Sequence, residues 1–410
     1  MIIWEDTQKL NQLVSSVLEN TNTDFYKNKY SNIEKPIIDS IEKLPFLSRS
    51  ELVEVHPSTR CYVDSSEIAF VAYTSGTTTG KPLLTYFSQI ENYYVDSTWG
   101  MEVSKLLVVF PPLNKNFSGT FVQQCRQSSR PVLPVFADIS NLATSAYLAA
   151  STQCDALYAT PTLALSLAHY LKEYYSTDAI NFLAISGETI GKAKLASLQA
   201  LYPNANIANL YASSEIGQFI MGPTKKMIED NVSGFCILPE AVVAAELING
   251  ELVVTYGLNT AFPLIRYRTG DHFEVSEKLT RKYGDGMPVL VWSGKGGIDV
   301  VRVHGLELRA GSIDDFFDAI PESVDVYQLH VRAGRHSGTL IFTIECVMAA
   351  DSFVGLDLIR SQFLSKFMVD SASTAQEALS RGLLESVHVH AVKEVSHIAK
   401  KRRVLVNHLE

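Results

Sequence analysis

The sequence predicts an α/β protein: a large N-terminal domain with mostly parallel sheets flanked by helices, a β-rich subdomain, and a small α+β domain at the C-terminus. Three observations carry this. Between residues 67 and 217 short apolar runs alternate with amphipathic helical segments, the pattern of parallel strands joined by crossover helices. After Gly217 the pattern becomes strand-like alternation with Asn249-Gly250 at the middle of one segment, a hairpin signal. After Gly297 a hairpin, a helix and further strand and helix segments form a compact unit. A length of 410 residues suits two or three domains.

Taken in order, residues 1–60 read as helical and polar. They end in "LPFLSRSEL", a turn into a short helix with Ser48 as cap. "IAFVAYTS", "KLLVVFPP" and "RPVLPVF" read as buried strands, "NLATSAYLAAS" as a helix, and "ALYATP" as a strand. "TLALSLAHYLKEYY" has apolar residues at helical spacing. "NFLAIS", "KAKLASLQALY" and "NIANLYASS" follow as strand, helix and strand. "AAELINGELVVTY", "FPLIRYRTGDHFEV" and "PVLVWSGKGG" continue in β style. "GIDVVRVHGLELRAGSIDDFFDAI" gives a hairpin and a helix capped near Ser312. Strand "TLIFTIECVM", a helix from Asp357 to Phe367 and strand "VHVHAV" complete the chain. The boundary falls at Gly297 to Asp299, dividing the chain into 1–298 and 299–410.

Composition removes several classes of function. With 46% hydrophobic and 19% charged residues the chain is well cored. A net charge of −9 with no basic face argues against nucleic acid as a partner. Five cysteines without a CxxC pair point away from a disulfide framework or zinc site and toward a reducing compartment. The start, with Glu5 and Asp6 and no basic region, does not read as a signal peptide. No apolar run reaches the roughly 18 residues that a bilayer requires. The expected location is cytoplasmic, with no membrane partner. His388 and His390 share a strand face, but with no third ligand nearby they read as ordinary strand residues.

The segment "SGTTTGKP", Ser75 to Pro82, concentrates hydroxyls, glycines and a lysine. It is not a Walker A loop: three residues, not four, separate Gly76 from Gly80, Pro82 follows Lys81, and a strand follows rather than a helix. Two readings stay open on these residues, a Ser/Thr/Gly-rich hairpin turn or a loop whose N–H groups, hydroxyls and lysine wrap phosphates.

The ordered motifs resemble the adenylate-forming superfamily of acyl- and aryl-CoA ligases, peptide-synthetase adenylation domains and luciferases. "SGTTTGKP" resembles its phosphate loop, with Thr79 as an insertion and Leu83 where that family has lysine. "ISGETI" resembles the turn before its adenine site, and "LYASSEIG" its adenine and magnesium segment. "YRTGD" matches its ribose segment, and "GKGGIDVVRVHGLELRAGSID" resembles its hinge and the first hairpin of its mobile C-terminal domain. "LPFLSRSEL" and the short chain are closest in style to the phenylacetate–CoA ligase branch.

The resemblance implies ATP as cosubstrate, Mg²⁺, and CoA or a carrier-protein phosphopantetheine as acceptor. It implies phosphate contacts from Ser75, Gly76, Thr77, Thr78 and Lys81, and a nucleotide-side turn at Gly187 and Glu188. Tyr211 would stack on adenine, Ser214 would reach the α-phosphate, Glu215 would ligate magnesium, and Asp271 would accept from the ribose hydroxyls. Lys295 stands near the position of an arginine that reaches the nucleotide, Asp299 at the hinge and Gly305 in the thiol channel. Lys400 is the implied catalytic lysine, with Lys401 the alternative register. Phe117 and Ala212 are candidates for the pocket wall. The implied reaction activates a small aromatic or compact carboxylic acid to acyl-AMP, then forms a thioester. The rivals are an amide-forming or acyl-protein ligase, and a nucleotide sensor that has lost catalysis. The acceptor and the oligomeric state, a homodimer among the options, are left open.

Overall fold

The computed structural model describes residues 1–31, 40–73, 83–88, 103–109, 125, 132–137, 139, 141–188, 190, 192–213, 215–216, 219–295, 300–303, 306–320, 324–335, 339–349, 354–369, 373–393, 395 and 404–408. Ser75, Gly76, Thr77, Thr78, Lys81, Phe117, Ser214, Asp299, Gly305, Lys400 and Lys401 lie outside these residues.

The parallel core forms as the alternation predicts. Strands β4 (Lys105–Val109), β5 (Leu133–Phe136), β6 (Ala156–Ala159), β7 (Phe182–Ser186) and β8 (Asn206–Ala212) pair in parallel in the order β8-β7-β6-β4-β5. Strands β9 (Phe219–Gly222) and β10 (Cys236–Ile237) add to the β8 edge antiparallel. Every residue of β6 and β7 is buried. That is why these strands read as continuous apolar runs: both faces are covered. The helix Pro161–Tyr174, capped by Thr160 with proline at its first position, covers one face.

The β-rich part is a five-stranded sheet, β1-β11-β12-β13-β14, built from β1 (Ile2–Glu5), β11 (Ala244–Ile248), β12 (Glu251–Tyr256), β13 (Leu264–Val275) and β14 (Leu290–Lys295). Asn249 and Gly250 both take positive φ, as a tight hairpin between β11 and β12 requires. Strand β1 corrects the helical reading of the N-terminus: Ile2–Glu5 pairs antiparallel with β11, and the helix begins only at Thr7 behind an Asp6 cap. Four residues are too few for a period-2 pattern to outweigh the helix that follows.

Strands β2 (Phe70–Tyr73) and β3 (Leu84–Phe87) flank the Ser/Thr/Gly segment as an antiparallel pair, closing it between Tyr73 and Leu84. They form a separate two-stranded sheet with Val71 exposed, so β2 is not the buried core strand its apolar run suggests.

In the C-terminal part, hairpin β15 (Val300–Val303) and β16 (Leu306–Arg309) leads into helix Ala310–Asp318. The helix starts two residues before the expected cap, which puts Ser312 inside it. A mixed sheet follows in the order β19-β18-β17-β20, from β17 (Val324–Ala333), β18 (Leu340–Met348), β19 (Leu384–Ala391) and β20 (Leu405–Asn407). Helix Leu356–Lys366 lies within one residue of its expected span. This part has its own core of Phe316, Phe317, Leu329, Phe342, Ile344 and Phe363. Strand β17 was missed although Tyr327, Leu329 and Val331 alternate with Gln328, His330 and Arg332; the adjacent apolar Val326 and Tyr327 break the period at its start. Its contact with the parallel domain includes the Lys194 ammonium, 5.2 Å from the Tyr327 ring centroid.

The five cysteines are free and buried. No described helix is long and apolar enough to cross a membrane. His388 and His390 stack with centroids 6.2 Å apart, and His388 Nε2 lies 2.8 Å from Ser386 Oγ.

Candidate active site

Tyr211 and Ala212 end β8, and Gly187 and Glu188 follow β7. The candidates therefore lie at the carboxyl ends of parallel strands, where open α/β sheets bind ligands. Asp271 comes from the other sheet, on β13.

The "YRTGD" segment explains how Asp271 gets there. Glu251 pairs with His272 and Val253 with Arg268, so β13 carries extra residues opposite β12, a bulge that re-aims the strand. Each residue of the bulge is tied down. Arg268 Nε donates to Glu251 Oε2 at 2.8 Å, and the Gly270 N–H donates to Glu251 Oε1 at 3.0 Å. The Thr269 hydroxyl donates to Leu252 O at 2.7 Å and accepts from the Asp271 N–H at 3.1 Å. Gly270 has φ +75°, left-handed backbone that a side chain would strain.

The Asp271 carboxylate, presented this way, accepts a 2.6 Å hydrogen bond from the Tyr211 hydroxyl. Burial first, and the Asp271 charge second, hold the Tyr211 phenol well above its usual range, so it stays a donor. Its ring meets Phe273 and Phe235 edge-on, at centroid distances of 5.2 and 6.4 Å. The structure thus brings the adenine and ribose candidates together from separate sheets.

Glu215 lies just beyond β8, and its carboxylate pairs with the Arg49 guanidinium. Arg49 was not singled out from the sequence. It opens the helix Arg49–Glu54, held by a capping box in which Ser48 and Glu51 exchange hydrogen bonds, so the expected Ser48 cap is present. The signal that could have found it is that same cap, which fixes the residue after it. Burial, with the Glu215 charge, raises the nearby Tyr267 phenol well above its usual range, and the Arg49 charge opposes this.

Glu188 sits elsewhere in the site. Its carboxylate accepts from the Thr162 hydroxyl at 2.6 Å and from the Thr162 N–H at 3.3 Å, in the first turn of the helix begun at Pro161. Gly187 before it has φ +86°. Lys295 is the last residue of β14, opposite Asp271 in register.

No cluster of three or more His, Cys, Asp or Glu that could hold a metal occurs among the described residues. Glu215 is a single carboxylate, and the buried Ser213 hydroxyl two residues earlier has no hydrogen-bond partner. That donor set fits a magnesium ion that keeps phosphate and water ligands, not a structural metal cage.

No family model and no curated protein matches the chain. Solved structures do. The 2-hydroxyisobutyryl-CoA ligase in its postadenylation state, in complex with R3-HIB-AMP, superposes with TM-score 0.70 at 16% identity, covering 98% of this chain and 88% of that one. The same ligase in the thioesterification state, with 2-HIB-AMP and CoA, gives 0.57 at 18% identity over 98% and 89%. The anthranilate CoA ligase AuaEII with anthranoyl-AMP gives 0.58 at 12% identity over 84% and 67%. The amide bond synthetase McbA from Marinactinospora thermotolerans gives 0.54 at 14% over 82% and 68%. Two sheets joined at the Tyr211–Asp271 contact, followed by a small mixed-sheet unit, give this chain the fold of the adenylate-forming ligases.

Proposed function

We propose that the protein is an AMP-forming ligase that activates a small carboxylic acid to acyl-AMP with release of pyrophosphate, then passes the acyl group to the thiol of CoA or of a carrier-protein phosphopantetheine. The observation that carries this reading is the Tyr211–Asp271 contact beside Glu215, on a fold shared with ligases solved with acyl-AMP bound.

The chemistry requires two anions, a carboxylate and the α-phosphate of ATP, to meet in line. Asp271 holds the ribose hydroxyls and Tyr211 fixes that carboxylate while its ring borders the base. Glu215 would hold magnesium, which when bound would supply positive charge beside the phosphates. Ser75, Gly76, Thr77, Thr78 and Lys81 contact the outer phosphates, and Ser214 the α-phosphate. Gly187, Glu188 and Lys295 complete the nucleotide side, with Phe117 and Ala212 on the acyl side. Lys400 stabilises charge between carboxylate and phosphate during adenylation. Rotation about Asp299 then withdraws it and opens the thiol channel at Gly305. The phenylacetate-like style of the sequence favours an aromatic or compact acid. Transfer to an amine instead of a thiol is the second reading, favoured by the likeness to McbA.

A carboxylic-acid panel with ATP, followed by CoA, holo-carrier protein or amines and read by mass spectrometry, tests the proposal. Pyrophosphate release with at least one acid is expected. ATP binding without pyrophosphate release from any acid would leave a nucleotide sensor. Lys400→Ala should lose adenylation yet form thioester from supplied acyl-AMP.

A further inference from the structure

Arg49 makes a contact in the site that no motif assigns. Its guanidinium donates to Glu215 Oε1, with the buried Tyr267 phenol within reach of its charge. Its backbone is fixed on both sides. The Leu47 N–H donates to Arg266 O, and the Arg268 N–H donates to Leu47 O, each at 2.9 Å, stitching the segment to β13 around Tyr267. The Ser48–Glu51 box then holds the start of the helix.

The pair is also incompletely enclosed: 20% of the Arg49 side chain and 11% of the Glu215 side chain remain exposed. Two residues before Glu215 the Ser213 hydroxyl is buried without a hydrogen-bond partner. A carboxylate meant only to bind a metal would stand uncompensated in this half-buried place until the metal came. Arg49 removes that difficulty, but a guanidinium and a divalent cation on one carboxylate repel each other.

We propose that Arg49 is an exchangeable counter-ion: it neutralises Glu215 in the nucleotide-free protein and yields the carboxylate to magnesium when Mg–ATP enters. The released guanidinium, still tethered at the cleft, then faces the phosphate or carboxylate of the substrates. Arg49 is thereby a positioning residue for Glu215 whose second state serves an anion. This inference rests on the nucleotide reading of the site.

Melting curves without nucleotide, with and without MgCl₂ at matched ionic strength, test it. The wild-type Tm should not respond to Mg²⁺, because Arg49 holds the ligand. Arg49→Met should melt lower and regain at least about 2 °C when Mg²⁺ takes the exposed carboxylate. Arg49→Lys, which keeps a charge and with it the fold, should show the same response at smaller size. Adding Glu215→Gln to Arg49→Met should restore Tm toward wild type and abolish the Mg²⁺ response. Indifference of Arg49→Met and Arg49→Lys to Mg²⁺, or a double variant no more stable than Arg49→Met, would overturn the exchange. Calorimetry of ATP binding to the wild-type protein tests the nucleotide reading separately: absence of binding there removes that reading whatever the melting curves show.

Discussion

Two arginine–carboxylate pairs tie down the N-terminal segment, one at β13 and one just beyond β8, and they are built differently. Arg266 meets Glu246 as a fork, Nε to Oε2 and Nη2 to Oε1, both at 3.0 Å. Its remaining Nη1 donates to the carbonyls of Glu42 and Leu44, and its plane lies 4.1 Å from the Phe46 ring centroid. The side chains are 9% and 2% exposed. The Arg49 and Glu215 side chains are 20% and 11% exposed. A saturated, sealed fork has nothing left to offer a ligand and serves the fold. A pair open at one edge can exchange partners.

The largest effect expected from breaking this contrast is on the sealed side. Arg266→Met leaves Glu246 charged in the core and should destabilise the protein by about 3–5 kcal/mol, read by denaturant unfolding, with no recovery in Mg²⁺. Pairing it with Glu246→Leu should recover most of the loss. A near-normal single variant would mean that the fork is dispensable.

On the open side, Glu215→Gln should still fold, melting lower because Arg49 loses its counter-charge, and adenylate more slowly by roughly 10²–10³, the usual effect of removing one electrostatic stabiliser. Pyrophosphate exchange measured against Mg²⁺ concentration checks it, and an unchanged Mg²⁺ dependence would return Glu215 to a structural role. Next in size, Asp271→Ala should raise the KM for ATP by the equivalent of one or two charge-assisted hydrogen bonds, about 1.5–3 kcal/mol each. Tyr211→Phe, which removes one donor to that carboxylate, should raise it less. If the two variants rank the other way, Asp271 is there to hold Tyr211 and not a ribose.

The smallest effect concerns a buried pair with no arginine fork. His330 Nε2 lies 3.4 Å from Glu345, and its Nδ1 lies 2.9 Å from His408 Nε2. Burial lowers the His330 pKa from 6.5, helped by the charges of Arg332 and His408 and opposed by Glu345. Below about pH 6.5 the unfolded chain therefore takes up a proton that folded His330 refuses, and stability falls until its own lowered pKa is passed. Tm should drop across that window, and His330→Gln should flatten the drop. A pH profile identical in the variant would remove His330 as its source.

The sequence alone determined the elements whose physics is local. Apolar runs became β4 to β8 because strands covered on both faces need no alternation. Asn249-Gly250 fixed its hairpin through two positive φ angles, and Ser48 with Glu51 fixed a helix start through hydrogen bonds within four residues. Tyr211, Glu215 and Asp271 were legible as candidates because their motifs are contiguous. What depended on distant partners was not legible. Strand β1 exists because β11 lies beside it. The bulge that turns Asp271 toward Tyr211 comes from the mismatch between β12 and β13, which no single segment contains. Arg49 meets Glu215 across 166 residues of chain. Only the tertiary structure decided that pairing, because the stitches at Leu47 that set it are backbone hydrogen bonds, which any residue can make and no side-chain pattern records.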